Sequence, residues 1–436
     1  MASARILNHF NSVDSSVIPR SALAHGTPHY LYDEGFIIRK CVELLSMPSA
    51  FGLTVRYAMK ANSAKSLLRL INDQGIKIDA SSMNEARRAR MAGIEYSDIM
   101  LTTQEAPEGA EMSALQDMIM GGLKYNVCST RQLRNISDFA AANKIKLAMR
   151  IHPGVGSGES ASRNTGDNYS CFGVHLSDIA QAMAFARDSG LVFDFAHVHI
   201  GSGGDPGIWR SNIDLEMSIV KEYFPDATTV SFGGGLREAR MPDETAADIR
   251  DLGAYAKSAV EKFFRETARA LRVEVEPGTY IMANAGFVVT SVIDKKTTGP
   301  DGMNFIVLDG GMELNARPSL YGSRHPFYVI DREGGLLSSE FGAINGGYQA
   351  AIVGRCCESG DSQTLSAEGL NTPRLIAEPE IGDYIAIGGT GAYCSAMAPM
   401  NYNSHAQAPE ILYTVEDGFR VIRVKQTLEQ IIANEV

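Results

Sequence analysis

Short apolar runs rich in β-branched residues alternate, over the first two thirds of the chain, with longer stretches whose apolar positions recur every three or four residues. The runs are Leu53–Lys60, Ile76–Ala80, Ile99–Thr103, Leu123–Ser129, Ile145–Pro153, Leu191–Ile200, Thr228–Gly235 and Leu271–Gly278. Between them lie Ser63–Asp73, Asn84–Met91, Ala106–Met120, Arg131–Asn143, Leu176–Asp188, Asn212–Tyr223 and Thr245–Ala270, each with helical spacing. Strand followed by helix, repeated, predicts parallel βαβ units. An open doubly wound sheet would show the same local pattern, but eight strand candidates fit a closed (β/α)8 TIM barrel. After Ala285 the pattern changes to strand-like runs at Phe287–Ile293, Phe305–Leu308, Phe327–Val329, Ala350–Val353, Tyr384–Ile387, Glu410–Thr414 and Gly418–Val424. Turn residues separate them, which predicts an all-β second domain, with Gln426–Ala433 closing the chain as a short helix. His29–Tyr32 is a further strand candidate outside the barrel count.

Composition narrows the class. The net charge of −11 argues against electrostatic nucleic-acid binding, which needs a surplus of Lys and Arg on one face. No run approaches the roughly 18 apolar residues of a membrane-spanning helix. The opening residues Met1–Phe10 lack the charged start and apolar stretch of a secretion signal, so a soluble cytoplasmic protein is expected. Six cysteines in 436 residues do not make a disulfide framework. No phosphate loop, H-E-x-x-H or paired C-x-x-C spacing occurs. His197 and His199 share one face of a strand candidate, but no third ligand stands in the local run, and no metal is expected.

The candidate chemistry falls at the C-terminal ends of barrel strands, where barrel enzymes build their sites. Lys60 closes the first run; its stem could simply pack while the amine reaches water, or, partly desolvated, the amine could form a Schiff base with an aldehyde cofactor. His199 could cover one face of a planar ring or be a satisfied core histidine. Gly233, Gly234 and Gly235 lack Cβ atoms and allow backbone N–H groups to approach an anion. Glu276 could hold a pyridine nitrogen protonated, which makes the ring an electron sink. Each feature alone has a bland structural reading. Four in order on four strand ends point to one site for pyridoxal phosphate.

The sequence resembles the diaminopimelate decarboxylases and, more broadly, the alanine racemase/ornithine decarboxylase-like group of fold type III pyridoxal phosphate enzymes. The resemblance is carried by Tyr57–Asn62, Asp79–Ser82 followed by Glu85, Asn164–Gly166, His197–Ser202, Gly233–Leu236, Glu276–Gly278, Arg317–Gly322, Cys357–Asp361 and Gly391–Tyr393. It implies a (β/α)8 barrel over residues 36–285 and a C-terminal β-barrel domain over 286–436, joined by the N-terminal segment 1–35. It also implies a head-to-tail homodimer whose sites are completed by Cys357 and Glu358 of the neighbouring subunit. By the same resemblance Lys60 carries the cofactor, His199 stacks on its ring, and Glu276 pairs with its nitrogen. Ser202, Gly233–Gly235, Gly278 and Tyr393 serve the phosphate. Cys357 returns a proton after loss of carbon dioxide, as a thiol that is mostly protonated at neutral pH can.

One departure bears on substrate. Members of the family carry arginine after Glu-Pro-Gly to grip a distal carboxylate, and this chain has Thr279. Losing one charged partner of a buried carboxylate costs about 2–5 kcal/mol. Arg317 and Tyr321, the rest of that grip, are present, and Tyr393 and Glu358 are further substrate-side candidates. Two expectations follow: Arg324 replaces the missing guanidinium and diaminopimelate remains the substrate, or the enzyme has moved to a basic or acylated diamino acid. The altered run Glu313–Ala316 adds weight to the second. A racemase would need a tyrosine base where Cys357 stands, and a cofactor-less regulatory protein would have lost Lys60, His199, Glu276 or Cys357.

Overall fold

The computed structural model of the protein describes residues 14–156, 164–201, 205–342 and 347–436. Its contacts divide the chain into two compact units. One comprises Lys40–Arg237 and Ala246–Gly278; the other comprises Met1–Arg39, Glu238–Thr245 and Thr279–Val436.

The strands in chain order begin with β1 (His29–Asp33), followed by β2 (Leu53–Ala58), β3 (Lys77–Ala80), β4 (Ile99–Thr102), β5 (Lys124–Val127) and β6 (Lys146–His152). A two-residue β7 (Val174–His175) precedes β8 (Val192–Val198), β9 (Thr229–Ser231) and β10 (Arg272–Val275). Strands β5-β4-β3-β2-β10-β9-β8-β6 pair side by side, and a β5–β6 pairing closes the ring. All eight are parallel. Closure leaves no exposed strand edge. Helices such as Lys65–Asp73, Met83–Met91, Pro206–Tyr223 and Ile249–Thr267 return the chain between strands. Two of the connecting helices start on serine caps, Ser82 accepting from Glu85 N and Ser129 from Gln132 N.

Inward-facing side chains follow from alternation along each strand. The register pairs Ala58 with Asp79, Asp79 with Met100, Asn126 with Ala148, Arg150 with His197 and His197 with Ser231, so these share the barrel interior. Three levels result. At the N-terminal end Arg56 and Glu274 form a buried ion pair of 2.6 Å. Met100, Ala148 and Phe195 fill the middle as an apolar plug. The C-terminal level is polar: Asp79, Thr102, Asn126, Arg150, His197, Ser231 and Glu276, all buried.

The remaining strands are β11 (Gly286–Thr297), β12 (Asn304–Leu308), β13 (Phe327–Ile330), β14 (Leu336–Ser339), β15 (Tyr348–Val353), β16 (Arg374–Ile376), β17 (Tyr384–Ile387), β18 (Glu410–Thr414) and β19 (Gly418–Arg423). They build a mostly antiparallel sheet that branches at the long strand β11. β1 lies between β11 and β18, antiparallel to the first and parallel to the second. The two arms approach each other where Ala377 N donates to Ser338 Oγ at 2.8 Å. Helix Val17–His25 seats Val17 and Ile18 in the core with Leu31, Phe287, Tyr328 and Ile411.

The pattern reading located every barrel strand to within a few residues. It missed β7, β14, β16 and the helices Val17–His25, Glu34–Leu45, Thr279–Met282 and Arg317–Tyr321. The missed strands are four residues or shorter, too brief to show a period.

Removing Arg56 would strand the Glu274 carboxylate inside the barrel. Arg56→Met is therefore expected to cost about 3–5 kcal/mol in urea unfolding, and the double variant Arg56→Met/Glu274→Leu to recover most of it.

Candidate active site

The first strand run ends earlier than its apolar pattern suggests. β2 stops at Ala58, and Lys60 sits on the short 3-10 turn Met59–Ala61. The Tyr57 hydroxyl donates to Asn62 O at 3.0 Å, and Ala58 N donates to Pro277 O at 3.1 Å, which fixes the turn against the end of β10. Lys60 itself is exposed. Its positive charge is felt by Asp79, Glu85 and His199, which surround it.

Glu276 follows β10 directly and lies at 6 % exposure. One carboxylate oxygen meets His197 Nε2 at 3.0 Å, and the other accepts from Ser231 Oγ at 2.8 Å. His197 Nδ1 in turn lies 2.9 Å from Asn126 Nδ2. Burial alone would raise the carboxyl. The His197 imidazole, by charge and hydrogen bond, with His199 and Ser231 behind it, instead holds it down at about 2. Asp79, across the mouth, goes the other way. Burial and the negative charge of Glu276 push it up to about 8, against the pull of Lys60 and a Thr102 hydrogen bond. Two carboxyls on one rim thus hold opposite protonation states at neutral pH.

His199 stands just past β8, half-buried. Its Nδ1 accepts from Gly234 N at 3.0 Å, which fixes the ring plane against the glycine loop. Burial, Lys60 and Arg150 push its pKa well below the ordinary value, only partly offset by Glu276, so it is a neutral, flat ring. The glycines are needed for close approach. A Cβ on Gly233, whose φ is +65°, would meet Val198 O at 2.5 Å, and one on Gly234 would meet Glu276 O at 2.6 Å. Gly278 is buried at the end of the same unit. Ser202 lies outside the described residues.

These residues fit pyridoxal phosphate. The mouth offers an amine, a neutral ring, an ionised carboxylate for a pyridine nitrogen and a Cβ-free loop for a phosphate. Buried polar atoms also face no partner among the described residues: Asp79 Oδ1, Asn126 Oδ1, and Nε and Nη2 of Arg150. Buried polar atoms of this kind call for a ligand or water. The guanidinium of Arg150 lies 5.0 Å from the Phe172 ring centre. Sequence reading missed Arg150, His197, Ser231 and Asn126 as site residues. Their common signal was position alone, since each occupies the inward face at the C-terminal end of a strand.

The other expected residues lie in the second unit. Cys357 is exposed, with its backbone N donating to Asn403 Oδ1 at 2.8 Å. Glu358 accepts from the Tyr402 hydroxyl at 2.9 Å and from Gly360 N at 3.2 Å. Hydrogen bonds from Gly360 N first, then Tyr402 and Ser359, lower its pKa. Behind this turn Asp361 accepts from Cys356 N at 2.7 Å and Met312 N at 2.6 Å. Tyr393 holds a left-handed backbone, φ 58°, an uncommon conformation for a bulky residue. Arg317 is 2 % exposed, donating from Nη2 to Ser323 Oγ at 3.3 Å, with its guanidinium 6.0 Å from the Tyr321 ring centre. Thr279 opens the helix Thr279–Met282. Arg324 is exposed and its Nη2 reaches both Asp243 oxygens, at 2.7 and 2.8 Å. That guanidinium is already paired with a carboxylate.

Comparison with known proteins agrees with this geometry. The family described as pyridoxal-dependent decarboxylase, pyridoxal binding domain, matches residues 37–283. Diaminopimelate decarboxylase of Escherichia coli K12 is 30 % identical over 94 % of both chains. That of Streptomyces coelicolor is 29 % identical over 98 % of this chain and 93 % of its own. A crystal structure of diaminopimelate decarboxylase superposes with a TM-score of 0.86 at 30 % identity, covering 96 % of this chain and 95 % of that one. The Helicobacter pylori enzyme, complexed with L-lysine, gives 0.80 at 26 % identity, with 95 % and 98 % covered.

A pH test follows from Glu276. The fold lowers its pKa, so its ionised form contributes stability that is fully present above the ordinary value of 4.5 and is lost as pH falls towards about 2. His197→Asn removes the strongest of the lowering influences. Denaturant unfolding measured across a pH series should therefore show a smaller acid loss in the variant, beginning near the same ordinary value but complete at a higher pH. Superimposable profiles would contradict the assignment.

Proposed function

This chain belongs to the fold type III pyridoxal-dependent decarboxylases, and we propose that it removes carbon dioxide from diaminopimelate or a closely related diamino acid, the first giving L-lysine. It is a pyridoxal phosphate-dependent carboxy-lyase acting on an amino acid. The observation that carries the mechanism is the buried Glu276 carboxyl held by His197 and Ser231.

Pyridoxal phosphate, when bound, supplies an electron sink for the pair left at Cα when carbon dioxide departs. The protein does the rest. Lys60 provides the amine that takes hold of the cofactor aldehyde. Glu276 stays anionic at working pH and keeps a proton on the pyridine nitrogen, since a carboxylate this acidic does not draw it away. His199, neutral and anchored by Gly234 N, offers a flat face that adds no positive charge above the ring. The Gly233–Gly235 loop, Gly278, Ser202 and Tyr393 would hold the phosphate. Cys357 returns a proton to Cα, and Glu358, tied to Tyr402, lies next to it in the chain.

We further propose a homodimer in which Cys357 and Glu358 complete the site of the neighbouring subunit, and a cytoplasmic location. No helix among the described residues is long and apolar enough to cross a membrane. Functionally, residues 36–285 bear the cofactor, while 286–436 with 1–35 bear the proton donor and the substrate grip of Arg317, Tyr321 and Tyr393.

A second reading of the substrate rests on a specific observation. Thr279 lacks the guanidinium of the family pattern, and the Arg324 pairing with Asp243 counts against Arg324 as its replacement. That favours a substrate whose distal end is basic or acylated rather than a carboxylate.

Turnover of meso-diaminopimelate, D- and L-lysine and ornithine, followed as carbon dioxide release, separates the two readings; preference for diaminopimelate supports the first and its rejection the second. Lys60→Ala should abolish release, and borohydride treatment of the loaded enzyme should label the wild type at Lys60. Cys357→Ala should lower kcat by about 10²–10⁴-fold, the usual contribution of a positioned acid. Mixing inactive Lys60→Ala with Cys357→Ala subunits should restore activity, because each hybrid dimer regains one intact site. Failure of the mixture would exclude shared sites.

A further inference from the structure

The helix Pro206–Tyr223 carries a second polar feature that the chemistry above does not use. Trp209, Asn212 and Glu216 stand three and four residues apart, so their side chains project from one face of the helix. All three are sealed from solvent, at 3 %, 0 % and 0 % exposure. Five polar atoms on this face have no hydrogen-bond partner among the described residues: Trp209 Nε1, both side-chain heteroatoms of Asn212 and both carboxyl oxygens of Glu216. The rest of the buried face is apolar, with Ile213, Met217, Ile219 and Val220.

We propose that Trp209, Asn212 and Glu216 form an internal water-binding site in the barrel unit, with Glu216 present as a neutral carboxylic acid. The argument is one of hydrogen-bond satisfaction. An unmade hydrogen bond on a buried donor or acceptor costs about 1–3 kcal/mol, so five clustered on one face would cost as much as a domain's whole marginal stability. A buried water makes about three hydrogen bonds, so at least two waters are needed to satisfy the cluster. Apolar side chains cannot. No cation faces the Glu216 oxygens among the described residues, and burying an unpaired carboxylate is far costlier than burying its acid. Burial first, and then the negative charge of Glu276, push its pKa well above the ordinary carboxyl value, in agreement with that geometry.

The site adjoins the catalytic wall without belonging to it. The Trp209 ring meets Phe232 edge-on at 5.9 Å, and Phe232 lies between Ser231, which donates to Glu276, and Gly233. A neutral Glu216 leaves the charge beneath the cofactor to Glu276. An ionised one would set a second carboxylate against it.

Infrared spectroscopy of the cofactor-loaded enzyme at neutral pH is the direct test. The wild type should show a protonated-carboxyl carbonyl band that disappears in Glu216→Gln, while the Asp79 contribution remains in both. Glu216→Gln should also bind the cofactor with unchanged affinity, because no charge has been removed. A protonated-carboxyl region unaltered by Glu216→Gln, with carboxylate bands lost instead, would show that the group is ionised and would overturn the proposal. A crystal structure of the loaded enzyme should place ordered water within hydrogen-bond distance of Trp209 Nε1, Asn212 and Glu216; a dry cluster would overturn it equally.

Discussion

A carboxylate kept ionised inside a barrel is the constraint on which the rest depends. Glu276 sits where burial opposes its charge, and only the His197 proton, the Ser231 hydroxyl and the neighbouring histidine reverse that preference. Those partners come from β8 and β9, while Glu276 follows β10, so the charge is stable only if three neighbouring strands are in register. The Asn126 contact extends the requirement to β5. Fold and electrostatics are here one problem.

The polar level at the barrel mouth is set against an apolar level directly beneath it. Met100, Ala148 and Phe195 plug the interior, so the polar side chains above have low-dielectric protein below them. In such surroundings each interaction is stronger and each unmet hydrogen bond more costly. This explains how two carboxyls on one rim diverge. Glu276 has donors and stays ionised, whereas Asp79 has fewer donors and a negative neighbour and takes a proton. Burial of both made the difference between their partners decisive.

The candidate residues of the second unit stand on turns instead of strand ends. Cys357 and Glu358 lie on a bend fixed from behind by Asp361 and from in front by Tyr402 and Asn403. Asn401, Asn403 and Ser404 all adopt left-handed backbone angles, a cluster of strained positions beside this bend. Backbone strain of this kind persists only when surrounding contacts over-determine it, as the Asn401 bonds to His405 O and Gln426 do here.

The chain's own pattern determined the architecture. Alternating strand and helix periods specified the barrel because every inner strand is buried on both faces and reads as an apolar run. Strand-end chemistry was legible too, since Lys60, His199, Gly233–Gly235 and Glu276 each close such a run. Tertiary structure alone decided the partners. The local run sets His197 aside as a metal ligand, and only closure of the barrel carries it to Glu276; Arg150 carried no signal beyond its place at a strand end. Arg324 read as a free guanidinium because its partner Asp243 lies 81 residues away. Period and motif are local properties of a sequence. Which charge meets which is settled by strands brought together from far apart, and no local pattern encodes that distance.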